Sequence, residues 1–194
     1  FNTIQATRGC PFNCEYCSVT KFFGRDFRCR PVAEVVAEIT SQPGKRCMFL
    51  DDNLIGHNKY AKELFRALIP LGINWGAQVS FALAKDAELM DLYAQAGGEF
   101  AFIGFESLSA KALKSVRKGS NRPEEYAVGI RQLQRRGITI MGSFMFGLDG
   151  DDLGVFKRTV DFVNATKIDL VLYHILTPFP GTRLYEEMDR QGRI

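Results

Sequence analysis

No run in the 194 residues approaches the roughly 18 consecutive apolar residues of a membrane span, so no spanning helix is expected. No signal-peptide pattern opens the chain. Charge of either sign is not in excess: 25 Lys and Arg face 22 Asp and Glu, and a net charge of +3 makes no case for a nucleic-acid partner. The basic stretch "RQLQRR" (131–136) falls on an expected helix and reads as a solvated face. Histidine is scarce, with only His57 and His174, isolated from each other in sequence. Neither G-x-G-x-x-G nor the P-loop pattern follows the first expected strand, which removes the usual dinucleotide and phosphate signatures. No linker or low-complexity segment divides the chain, so residues 1–194 are expected to form one domain. The five cysteines are an odd number and do not read as a secreted disulfide framework; a reducing, cytoplasmic setting is expected. The chain starts at Phe1 with a strand pattern close behind, so it is expected to be part of a longer protein.

What is present is alternation. The apolar fraction of 46% and charged fraction of 24% suit an ordinary folded domain. Strand patterns fall at 3–9, 46–52, 73–80, 99–107, 138–147 and 168–179. Helical patterns follow each, at 31–40, 58–72, 85–98, 109–117 with 123–136, 151–166 and 181–192. Strand followed by helix, repeated, argues for an α/β fold with a parallel sheet and helices outside. A full eight-unit barrel needs roughly 250 residues, so six βα units fit this length better.

The polar residues gather at the strand ends. Asp51, Asp52 and Asn53 end the second strand; Gln78 and Ser80 end the third; Glu106 and Ser107 end the fourth. Ser143 lies in the fifth, and His174 and Thr177 in the sixth. After the first strand comes "RGCPFNCEYCSV", with Cys10, Cys14 and Cys17 spaced C-x3-C-x2-C. Ligands of parallel α/β folds bind at the carboxyl ends of strands, so this loop and the acids should share one mouth. Three thiolates in one short loop suit a four-iron, four-sulfur cube, which has one more corner than this loop can fill. The fourth iron then stays open to a cofactor or substrate. Gly9 lets the backbone approach, and Pro11 fixes a turn.

The C-x3-C-x-aromatic-C loop, with Tyr16 as the aromatic, ahead of five more βα units, resembles the radical S-adenosylmethionine superfamily. "LDDN", "GFES" followed by "KALKSVRKG", and "TPFPGTRLY" look like its cobalamin-dependent branch. The resemblance implies a partial (β/α)6 TIM-like barrel and a radical enzyme, a methyltransferase or a cyclase. It implies Cys10, Cys14 and Cys17 as ligands of a 4Fe-4S cluster, with S-adenosylmethionine as cofactor. Tyr16, Asp51, Asp52, Gln78, Glu106, Ser107 and Ser143 would contact that cofactor, and either Asp51 or Asp52 would meet its amino group. It further implies a small-molecule substrate, a reductant such as a flavodoxin or ferredoxin, and cobalamin on an upstream domain of the full-length protein.

Other readings stand beside this one. The loop also suits part of a zinc site in a barrel without turnover, with His57 as a further ligand. A radical enzyme of another branch, working by methylthiolation or ring rearrangement, has the same cysteine loop. "LDDN" reads equally as a helix cap. Cys29 and Cys47 are expected to be structural, Trp75 a core residue, and the aromatics of "KFFGRDF" (21–27) loop packing. His174 stays open between core and pocket.

Overall fold

The computed structural model describes residues 2–24 and 26–194. Phe1, at the expected chain start, and Arg25, within "KFFGRDF", lie outside the described residues. In chain order the elements are β1 (Asn2–Ile4), β2 (Thr7–Arg8), α1 (Val19–Phe23), β3 (Arg28–Cys29), α2 (Val32–Ser41), β4 (Arg46–Phe49) and α3 (Asn58–Leu68). Then come β5 (Asn74–Val79), α4 (Ala87–Gln95), β6 (Gly98–Glu106), α5 (Ala110–Ser115), α6 (Pro123–Gln134), β7 (Thr139–Phe146), α7 (Gly154–Thr166), β8 (Leu170–Ile175) and α8 (Arg183–Arg190). Six strands form one sheet in the order β1-β4-β5-β6-β7-β8, every pair parallel. This is the expected six-unit partial barrel. Among the described residues β1 and β8 do not pair, so the sheet stays open on one side.

The helices form where apolar side chains recur at helical spacing. On α3, Tyr60, Ala61, Leu64, Phe65 and Leu68 are buried along one stripe. The helix starts at His57, whose Nδ1 accepts the Tyr60 N–H at 3.2 Å. With His57 as the cap, "LDDN" does not cap α3. α4 starts at Asp86, which accepts the Leu89 N–H at 3.0 Å.

The expected first strand, 3–9, is in fact two pieces. β1 pairs with β4, while β2 pairs antiparallel with β3. The break has a cause at Asp51. Its carboxylate accepts the Ala6 N–H at 3.2 Å, the Thr7 N–H, and the Thr7 hydroxyl at 2.5 Å. These bonds replace ladder partners at the point where the chain leaves the sheet.

The two faces of the sheet differ. Strand register places Phe49, Trp75, Ala77, Ile103, Phe105, Ile140 and Phe144 on the outer face, all at 2% exposure or less. Trp75 packs against Phe49, Phe65 and Tyr93 at centroid distances of 5.2, 5.2 and 4.4 Å. Its indole N–H donates to Ala96 O at 2.8 Å, so burial leaves no orphaned donor. Cys47 lies in this core as expected. Cys29, expected to be structural, is exposed on β3 instead. The inner face carries Met48, Phe100, Phe102, Met141, Met145 and Leu172, which are half-buried or exposed. No helix among the described residues is long and apolar enough to cross a membrane.

Candidate functional site

The cysteine loop leaves β2 through Gly9, at φ +88°, where a side chain would sit 2.9 Å from Asp26 O. Glycine alone fits that close approach. The Gly9 N–H donates to Asp52 Oδ2 at 3.2 Å, which ties the loop to the end of β4. Within the loop, the Cys17 N–H donates to Cys14 O at 3.2 Å. Glu15 anchors both flanks: its N–H donates to Val116 O at 3.1 Å, and its carbonyl accepts from Leu184 N at 3.0 Å. Cys10, Cys14 and Cys17 are unbridged and half-buried. All three open onto one cavity of about 300 Å³ at the carboxyl ends of the strands.

Tyr16, Asp52, Gln78, Glu106 and Ser143 line that cavity with the cysteines; Asp51 and Ser107 do not. Asp51 is 2% exposed and spends its carboxylate on Ala6 and Thr7. Ser107 is 4% exposed, and its hydroxyl accepts the Ser109 N–H at 3.0 Å. Both make structural ties away from the cavity lining. His174 falls on the cavity side of its two readings.

Glu106 sits where the β6–β7 register shifts, with φ +66°, a left-handed conformation that costs a non-glycine residue energy. This geometry folds its carboxylate back along β6, and a side chain at Gly104 would collide with Glu106 Oε1. The same oxygen accepts the Tyr16 hydroxyl at 3.1 Å and the Lys118 ammonium at 3.2 Å. Lys118 and Glu106 side chains are only 16% and 8% exposed. Burial opposes the Lys118 charge, but Glu106 and the nearby thiols more than offset it, so its pKa rises and the ammonium persists. Burial likewise pushes the Cys10 and Cys14 thiols up, while Lys118 pulls both back down. Burial and the Glu106 charge push the Tyr16 phenol far up, so it stays protonated.

Lys118 is the residue that sequence reasoning missed. It lies inside "KALKSVRKG", but nothing in its spacing shows a buried partner 12 positions earlier. Asn53 was also unassigned. Its amide Nδ2 points to Cys10 Sγ at 4.0 Å, and its Oδ1 accepts the Ser80 N–H at 3.0 Å.

Among the described residues, no three His, Cys, Asp or Glu side chains converge on a point suited to a single metal ion. The three thiols instead spread along one loop and face one cavity. Such a donor set would let each sulfur take a different iron of a cluster. The residues present therefore fit a cluster better than zinc.

A family model for the radical SAM superfamily matches residues 4–163. The chain belongs to the radical SAM superfamily. A 4Fe-4S cluster and S-adenosylmethionine are accordingly its cofactors. The radical SAM domain is 38% identical, over 98% of this chain, to the bacteriochlorophyllide d C-12(1)-methyltransferase of Chlorobaculum tepidum. It is 29% identical, over 99% of this chain, to the hopanoid C-2 methylase of Rhodopseudomonas palustris. It spans 43% and 38% of those two proteins. The solved methyltransferase TsrM from Kitasatospora setae, with cobalamin and a 4Fe-4S cluster bound, superposes with a TM-score of 0.89. That match has 22% identity and covers 98% of this chain and 37% of TsrM, a likeness of fold.

Proposed function

We propose that the full-length protein is a cobalamin-dependent radical methyltransferase, and that Cys10, Cys14 and Cys17 hold its cluster. The observation that carries this reading is the shared cavity, where three unbridged thiols meet Tyr16, Asp52, Gln78, Glu106, Ser143 and Lys118. Bound there, the cluster would supply the single electron for reductive cleavage of the S-adenosylmethionine sulfonium.

The chain's own residues do the rest. Lys118 presents the buried ammonium that a methionyl carboxylate needs, and Glu106 holds that ammonium in place. Tyr16, pinned by its bond to Glu106, closes the loop side of the cavity. Asp52 fixes the start of the cysteine loop, and Asn53 shields Cys10. Gln78 and Ser143 offer polar contacts across the mouth. The inner face of the sheet, with Phe102 and Met145, gives the cavity an apolar wall. That wall suits a large ring system; methylation of such a molecule is what the bacteriochlorophyllide and hopanoid relatives are named for. An external carrier such as a flavodoxin or ferredoxin supplies the electron.

The test is chromatography of the reconstituted full-length protein with S-adenosylmethionine and a strong reductant. Formation of 5′-deoxyadenosine above a Cys14→Ala control is expected. No product above that control would reject the radical reading.

A further inference from the structure

Two neighbouring side chains at the carboxyl end of β4 hold the cysteine loop, and they hold different parts of it. Asp52 takes a backbone N–H, that of Gly9. Asn53 reaches a sulfur: its Nδ2 lies 4.0 Å from Cys10 Sγ, and both residues line the cavity. Asn53 is 3% exposed, so its polar atoms need partners inside the protein. Its Oδ1 has one, the Ser80 N–H at 3.0 Å. That bond fixes which way the amide faces. Turned over, the amide nitrogen would meet the Ser80 N–H, donor against donor. The backbone is held as well: Asn53 O accepts the Gly56 N–H at 2.9 Å, and the Leu54 N–H donates to Gln78 O at 3.1 Å. The donor end of a buried, anchored amide is therefore aimed at one sulfur of the loop.

We propose that Asn53 is a positioning residue that tunes the cluster: its amide donates to the Cys10 thiolate and raises the reduction potential. This rests on the cluster reading above. Reduction adds one electron, taken from a low-potential donor such as dithionite, and part of that negative charge falls on the thiolate sulfurs. A hydrogen-bond donor beside a sulfur favours the reduced form, and hydrogen bonds to the sulfurs are among the levers that set cluster potentials. Burial strengthens the effect, because a partial charge acts more strongly in a low-dielectric site than in water. No bond in the protein forms or breaks.

The tie to Ser80 and the bond to sulfur separate by chemistry. Asn53→Asp keeps an oxygen for the Ser80 N–H but has no N–H for the sulfur. Asn53→Leu keeps neither. Ser80→Pro leaves the Asn53 amide in place and removes the N–H that orients it. Ser80 has φ −79°, a backbone that proline adopts.

The test is a redox titration of the reconstituted full-length protein without S-adenosylmethionine, followed by the electron paramagnetic resonance signal of the reduced cluster. Asn53→Leu should make reduction about tenfold less favourable, a shift of about 59 mV to more negative potential for a one-electron couple. Asn53→Asp should shift the potential the same way by at least as much, because it adds a negative charge near the sulfur. Ser80→Pro should give a smaller shift of the same sign. Iron should stay at about four per chain in all three. A wild-type potential in either Asn53 variant would overturn the proposal. If both Asn53 variants lost their iron, Ser80→Pro would decide: a lowered potential supports the proposal, and a wild-type potential overturns it. A wild-type protein that holds no four-iron cluster would defeat the cluster reading itself, an outcome distinct from any shift among the variants.

Discussion

The outer and inner faces of one sheet, built from alternate residues of the same strands, are treated oppositely. Outside, Trp75, Ile103, Phe105 and Phe144 are sealed under helices at 1% exposure or less. Inside, Phe100, Phe102, Met141 and Met145 are equally apolar yet only half-buried. The difference shows where stability and function separate. The outer face holds the strands in register, and the inner face is left for something else to cover. The inner face also carries the polar groups at its carboxyl end, where Gln78, Glu106, Ser143 and His174 meet the cysteine loop.

Substitutions can break or sharpen that contrast. The largest effect is expected at Trp75→Ala, which empties the outer core and should cost about 3–5 kcal/mol in urea denaturation. Next is Asp51→Ala, which strands the Ala6 and Thr7 N–H groups; a loss of about 2–4 kcal/mol is expected. Asp51 also makes a prediction about pH. Burial raises its pKa above 3.8 despite its hydrogen bonds. The folded state then keeps that proton at a pH where the unfolded state has lost it. Its contribution to stability should therefore fall as pH rises from about 4 through the folded pKa. The difference between wild type and Asp51→Asn across that window isolates it from the other carboxylates.

Lys118→Met should leave the iron content intact and weaken S-adenosylmethionine binding by about ten- to hundredfold, the loss of one charge-assisted bond. Unchanged affinity would remove Lys118 from the cofactor site. The smallest effect is expected on the inner face. Phe102→Ala should cost less in folding than Trp75→Ala, about 1–2 kcal/mol, because the side chain is only partly buried. A loss as large as that of Trp75→Ala would erase the distinction between the faces.

Much of this was legible beforehand, for local reasons. The cysteine loop declares itself within eight residues, and βα alternation survives any detail of packing. Several of the strand-end residues named from the sequence share the cavity with the cysteines. Asp51 and Asp52 show where such reading stops: one residue of offset turns one carboxylate toward the backbone of β2 and the other toward the loop. Lys118 was invisible because its partnership depends on a register shift and a left-handed Glu106, both tertiary in origin. The open inner face was hidden as well. β6 reads as one apolar run, "FAFIGF", which gives no sign that its two sides differ. Phe22 was misjudged because its helix, α1, is only five residues long, too short for a period to show which way a side chain faces.

The most direct test of the account is iron and sulfide analysis after anaerobic reconstitution of cysteine variants. About four iron and four sulfide per chain are expected in the wild type and in Cys29→Ala, and neither ion in Cys10→Ala, Cys14→Ala or Cys17→Ala. Equal loss in Cys29→Ala, or stoichiometric zinc in protein purified without oxygen, would contradict the assignment of the three-thiol loop to a cluster.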